Sequence, residues 1–212
     1  MRATHRKMAD DLALERQYGT RIAGIDEAGR GPWAGPVVAA AVVLDEASVP
    51  PGIDDSKRLS PRKRAALYAE ILAHAETGIG QASVEEIDAM NIAQATALAM
   101  RRAVAALRGP PNFALIDGTQ VPAGLPCRAK PLIGGDGLCL SVAAASILAK
   151  VTRDRIMVRL AQAFPGYGWE TNAGYGVPAH AAALRRFGVT PHHRRSFRPI
   201  HNMLYQKTAL TD

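Results

Sequence analysis

Residues 22–36 read IAGIDEAGRGPWAGP, an apolar run that ends in two adjacent carboxylates, Asp26 and Glu27, and then turns through Gly29-Arg30-Gly31. Neighbouring acids at the end of a buried strand repel each other unless one is protonated or a cation lies between them. A hard divalent metal meets that need. The glycines beside them allow backbone N–H groups to approach a phosphate or a sugar with no Cβ in the way. Carboxylates for a metal, next to donors for a phosphate, point to phosphodiester chemistry.

Two later apolar segments also lead into acids, Leu115-Ile116-Asp117-Gly118 and Ile133-Gly134-Gly135-Asp136. Ligands of open α/β sheets collect at strand ends, so Asp26, Glu27, Asp117 and Asp136 are expected to converge. Three or four carboxylates suit a pair of Mn²⁺ or Mg²⁺ ions that clamp the attacking and leaving oxygens of an in-line displacement. Taken alone, Asp136 in Gly-Gly-Asp-Gly is also a good turn residue. Consecutive strand residues face opposite ways, which places Asp26 at the centre and Glu27 at the Ala28-Gly29 turn, reaching in from the rim. The remaining acids read as structural. Asp54, Asp55, Glu85, Glu86 and Asp88 sit at helix starts, where the dipole favours them, and Asp154 lies among cations on a helix.

The elements that must position these groups can be read from pattern. Strands are expected over 21–26, 37–44, 78–83, 113–117 and 127–133. Ser60-Pro61 opens a helix running to about His74, and Ser83 with Glu86 forms a capping box for a long helix through Leu107. Further helices cover 140–164 and the stretch after Val177-Pro178, and Thr190-Pro191 opens a last turn or helix. The first 20 residues, polar and mixed in charge, read as a frayed arm or short helix. A chain of 212 residues then holds one α/β domain, from residue 21, with a basic helical C-terminal part from about residue 165.

Net charge is +7, and no Asp or Glu occurs from Thr171 to Thr211, a stretch that includes Arg185, Arg186, Arg194, Arg195, Arg198 and Lys207. A one-signed surface of that length favours a polyanion, with salt-sensitive binding. His192 and His193 lack any zinc-site spacing and read as surface groups. No phosphate-binding P-loop occurs, and Gly29-Arg30-Gly31 lacks the third glycine of a dinucleotide fingerprint, which argues against a nucleotide cofactor. Cys127 and Cys139 read as reduced thiols, and no apolar run is long enough to span a bilayer, so a cytoplasmic protein is expected. On residue chemistry alone two rivals stay open: a basic binding module whose acids only cap turns, and a metal-dependent hydrolase of small phosphate esters.

Seven segments, GIDEAGRGPWAGPVVAAAVVL, DDSKRLS, NIAQATALAM, LIDG, SVAAASILAKVTRDR, AGYG and HHRRSF, resemble the bacterial ribonuclease HII family in its own order. The resemblance implies a ribonuclease H-like fold, a mixed five-stranded sheet flanked by helices. It implies cleavage of the RNA strand of RNA–DNA hybrids and incision at single ribonucleotides in duplex DNA. Asp26, Glu27, Asp117 and Asp136 match the family's metal-binding acids, with Gly134 standing where many relatives have lysine. Gly29, Arg30 and Gly31 match the turn that contacts the 2′-hydroxyl, and Tyr175 matches the tyrosine that packs on the sugar at the RNA–DNA junction. Lys57 is expected at a phosphate, and Arg194 and Arg195 at the hybrid. The partners implied are RNA–DNA hybrid and ribonucleotide-containing duplex DNA, with a monomeric protein and no membrane.

Overall fold

The computed structural model describes residues 12–205 and begins with one turn of helix, α1 (Ala13–Arg16), inside the expected arm. Residues 1–11 of that arm and the final seven residues, with Lys207, lie outside the described residues. Next come β1 (Ile22–Ala28), β2 (Val37–Val43), α2 (Pro61–His74), β3 (Glu76–Ala82), α3 (Val84–Ala105), β4 (Phe113–Asp117) and β5 (Arg128–Leu132). A single 3₁₀ turn (Gly135–Gly137) leads into α4 (Leu140–Ala163), followed by α5 (Trp169–Asn172), α6 (Pro178–Phe187) and α7 (Arg198–Tyr205).

The sheet order is β3-β2-β1-β4-β5. β1, β2 and β3 form an antiparallel meander, whereas β4 pairs parallel to β1 and β5 parallel to β4. Parallel strands end at the same edge, so β1, β4 and β5 deliver their C-terminal residues together. This topology is what brings sequence-distant acids to one place.

Both faces of the sheet are covered. Ala23, Ile25, Val37, Ala39 and Ala41 pack against α3 through Ala99 and Ala103. Ala40 and Val42 meet Ala144, Ile147 and Leu148 of α4 on the other face, with Leu67 and Ile71 of α2 beside them. The residues are small, so the helices lie close. At Gly24 an added Cβ would sit 2.1 Å from the Ser141 carbonyl carbon, which makes a side chain there incompatible with the seating of α4.

Local signals in the sequence explain the helix starts. Ser60 accepts from the Lys63 N–H with Pro61 at the first position, and Ser83 and Glu86 complete their reciprocal box at 3.2 and 2.9 Å. The long helix is not continuous, in contrast to its expected form. Asn91 adopts φ 70°, ψ 164°, and its Oδ1 accepts from the N–H groups of Ala93 and Gln94, so the second part of α3 starts from a new cap. The C-terminal part has an apolar cluster of its own, Trp169, Tyr167, Leu184 and Ile200 around Ala34 and Met157. Cys127 and Cys139 are free, and among the described residues no helix is long and apolar enough to cross a membrane.

Candidate active site

β1 keeps its ladder with β2 through Ala28, while its parallel ladder with β4 stops at Ile25 and Ile116. The sheet therefore opens between β1 and β4 where the acids stand. Glu27 lies within the strand, opposite Ala39, and not in the turn as expected, because pairing with β2 holds β1 extended for two more residues. Strand alternation still applies. Ala23 and Ile25 belong to the α3 face, so Asp26 projects on the α4 face and Glu27 on the α3 face. Both line one cavity of about 470 Å³, and Glu27 and Asp117 also line a second of about 440 Å³ beside α3, forming the wall between the two.

Each acid has a local partner. Asp26 Oδ1 accepts from the Glu27 N–H at 2.6 Å, Asp117 Oδ1 from the Gly135 N–H at 2.8 Å, and Asp136 Oδ2 from Lys57 Nζ at 2.9 Å. Arg30 reaches Glu27 Oε1 at 3.3 Å. Asp26 is 6% exposed and Asp136 8%. Burial holds the Asp26 carboxyl well above the usual range, with the charges of Glu27, Asp117 and Asp136 adding to the effect. Burial likewise raises Glu27 against the opposing pull of Arg30, and the bond to Asp136 raises Lys57.

The donor set fits a hard divalent cation. It consists of carboxylate oxygens, offers no thiolate or imidazole, and is electrostatically frustrated at Asp26. Among the described residues no three acidic, histidine or cysteine side chains stand close enough to ligate one ion as they are. Lys57, Arg30 and the Gly135 N–H are the partners that ligation would displace.

Gly29, Arg30, Gly31, Lys57 and Tyr175 line the main cavity with the acids Asp26, Glu27 and Asp117. Tyr175 is 46% exposed and stands beside Gly31, where an added Cβ would lie 3.6 Å from its ring. Sequence reasoning missed Ser146, Lys150 and Arg153, which line the same cavity from α4. Their signal was available: they are polar residues at i, i+4 and i+7 of an alanine-rich helix, a spacing that defines one face.

Arg194 is not at a nucleic-acid surface. It is fully buried, because its guanidinium is taken up by backbone carbonyls of the segment after β1, whereas Arg195 is exposed and uses its own N–H to reach Asp88 at 2.9 Å. Asp88 also accepts from Ser196 Oγ and N–H, so it ties α3 to the C-terminal part and does not act through the helix dipole. His193 is buried too, contrary to expectation. Its Nδ1 accepts from the Thr190 N–H at 3.0 Å, which leaves Nε2 to donate to His180 Nε2 at 3.1 Å. His180 Nε2 also accepts from Trp169 Nε1, and its Nδ1 donates to the Tyr175 carbonyl at 2.9 Å. Both rings are therefore neutral, and burial pushes His193 down to about 3. The basic stretch is thus divided: Arg185, Arg186, Arg195 and Arg198 face solvent, while the histidine pair and Arg194 build the support under Tyr175 and the turn.

The sequence profile of the family described as Ribonuclease HII matches residues 23–202. A ribonuclease HII of Ruegeria pomeroyi is 59% identical over 197 residues, covering 93% of this chain and 84% of its own. One of Ruegeria sp. (strain TM1040) is 61% identical over 202 residues, covering 93% and 88%. Among solved structures, the ribonuclease H2 from Pyrococcus horikoshii superposes with a TM-score of 0.74 at 29% identity, over 88% of this chain and 98% of that one. Likeness of this extent in both sequence and fold places the chain in the ribonuclease HII family, endonucleases that hydrolyse the RNA strand of RNA–DNA hybrids.

Proposed function

We propose that Asp26, Glu27, Asp117 and Asp136 hold two divalent cations, Mn²⁺ or Mg²⁺, and that the chain incises duplex DNA on the 5′ side of an embedded ribonucleotide as well as cutting longer hybrids. The observation that carries this reading is that Asp26, Glu27 and Asp117 line one cavity with the Gly29-Arg30-Gly31 turn, while Asp136 binds Lys57 of the same lining and adds its charge at Asp26. When bound, the ions supply charge neutralisation at the phosphodiester and lower the pKa of water.

The remaining work falls to the chain's own residues. Gly29 and Gly31 present backbone at close range, and a 2′-hydroxyl is the feature that separates RNA from DNA there. Tyr175 offers a half-exposed ring beside that turn, suited to packing on a sugar. Lys57, with its side chain 77% exposed, can leave Asp136 for a phosphate once that acid has another partner. The cut leaves a 3′-hydroxyl and a 5′-phosphate, because water attacks and the 2′-hydroxyl is only read. Arg195 and its exposed neighbours supply the sequence-independent attraction for the duplex.

The test is incision of a labelled DNA duplex carrying one ribonucleotide, with Mn²⁺, with Mg²⁺ and with chelator, the product ends being mapped. A metal-dependent cut 5′ of the ribonucleotide with those ends is expected. A cyclic phosphate end, or equal cutting of an all-DNA duplex, would overturn the reading.

A further inference from the structure

Arg153 is 1% exposed and Arg194 0%, and among the described residues neither has a carboxylate partner. Their donors go to main-chain carbonyls instead. Arg194 Nε donates to Gly35 O at 2.9 Å and Nη1 to Arg30 O at 2.9 Å, while Nη2 serves Gly29 O and, at 3.2 Å, Pro36 O. Arg153 Nε donates to Pro36 O at 3.0 Å, Nη2 to Ala34 O at 3.0 Å and Nη1 to Ala173 O at 2.9 Å. The Arg194 N–H closes the set on Trp33 O at 2.8 Å. The carbonyls of Gly29, Arg30, Ala34, Gly35 and Pro36 are therefore each held from behind by one or both of two planar forks.

The N–H groups at the front of the same segment are in the opposite condition. Among the described residues, no carbonyl or side chain takes the N–H of Gly29, Arg30 or Gly31, and all three residues line the main cavity. At Gly29, φ is 97° and an added Cβ would strike the Arg153 guanidinium, so the turn and the fork are fitted to each other. Burial lowers the two guanidinium pKa values to about 10 and about 9, which leaves both charged at neutral pH. Carbonyls satisfy their hydrogen bonds without cancelling that charge, as a carboxylate would have done. The result is a nest of N–H groups with positive charge directly behind it, an arrangement suited to a ribose-phosphate.

We propose that Arg153 and Arg194 are positioning residues: by fixing the carbonyls of residues 29–36 they aim the N–H groups of Gly29, Arg30 and Gly31 at the ribose-phosphate, and so set the preference for a ribonucleotide over a deoxyribonucleotide. The inference rests on the reading that this turn meets the substrate. Both guanidinium groups are buried and spend their donors on main-chain carbonyls, so each acts through the backbone.

Arg194→Lys separates positioning from charge and from bulk, since a single ammonium keeps the charge but cannot span four carbonyls. The full-length chain, labelled with ¹⁵N-glycine and kept in chelator, is titrated with a duplex carrying one ribonucleotide and with the same duplex in all-DNA form. In the wild type the Gly29 and Gly31 amide signals shift with the first duplex and little with the second. In Arg194→Lys those signals broaden before any duplex is added, and the ratio of the two dissociation constants falls at least about tenfold while the rest of the glycine spectrum stays folded. An unchanged ratio with unchanged amide shifts overturns the proposal, as does equal weakening toward both duplexes, which marks a merely structural fork. Wild-type amides that respond to neither duplex defeat the underlying reading of the turn instead. Should Arg194→Lys not fold, Arg153→Lys carries the same comparison.

Discussion

The chain buries charge in two neighbouring places and treats it in opposite ways. At the open end of β1 and β4, Asp26 and Glu27 are held close to like charges and their carboxyls are pushed upward. Behind the turn that follows β1, Arg153 and Arg194 are buried more completely, yet all their fork positions are bonded to carbonyls. Like-charge burial with full hydrogen bonding holds a backbone in one shape. Like-charge burial without it stores an attraction for whatever cation arrives. The same residue economy thus yields support in one case and chemistry in the other.

Substitutions on the two sides should consequently differ in kind. Asp117→Asn keeps the shape and the bond to the Gly135 N–H but removes a charge, and kcat on an RNA–DNA hybrid should fall by about 10³-fold or more with hybrid binding and melting temperature retained. Loss of binding, or a rate near wild type, would remove Asp117 from the metal set. Arg153→Met should do the reverse. The carbonyls of Ala34 and Ala173 lose their donor at about 1–3 kcal/mol each, and Pro36 keeps only its bond from Arg194, so a loss of about 2–6 kcal/mol and a melting temperature lower by roughly 10 °C are expected in calorimetry.

A pH titration sharpens the contrast. Unfolded, His193 takes a proton near 6.5, whereas folded it is held down to about 3, so the unfolded state binds more protons between those values. The stability contributed by the histidine pair is complete above about pH 6.5 and is lost as pH falls toward 3, at up to about 1.4 kcal/mol per unit. Asp26 has the opposite sign, since its raised carboxyl destabilises the metal-free fold at neutral pH and is relieved by acid. Urea midpoints taken in chelator should show Asp26→Asn more stable than wild type by about 1 kcal/mol at pH 7, the margin shrinking as pH is lowered. A destabilised Asp26→Asn would mean that the acidic edge is not frustrated at all. The smallest effect belongs to neither site: Ser83→Ala, which loses one cap of α3, should cost about 1 kcal/mol in urea and leave hybrid cleavage unchanged.

Much of the site was legible because its parts are local. Strand ends, acids and glycines occur within a few letters of each other at Asp26, Asp117 and Asp136, and the Ser83–Glu86 box is a spacing. Asn91 escaped because a single residue at positive φ inside a helix-favouring stretch has no pattern, only a side chain that caps the next turn. His193 and Arg194 escaped because charge in a sequence is counted as surface. Burial of either depends on acceptors supplied by residues far away: His180 for one, and the carbonyls of residues 29–36 for the other.

By itself, the order of residues determined which groups carry chemistry, where the strands and helices begin, and the family to which the chain belongs, since each depends on identity and short-range spacing. Only the tertiary structure decided that Glu27 stays within its strand, that α4 adds Lys150 and Arg153 to the cavity, and that Arg194 and the His180–His193 pair of the basic tail turn inward. The reason is that a hydrogen bond between residues 29 and 194 leaves no periodicity behind. It exists only once the sheet has placed a carbonyl and a guanidinium face to face.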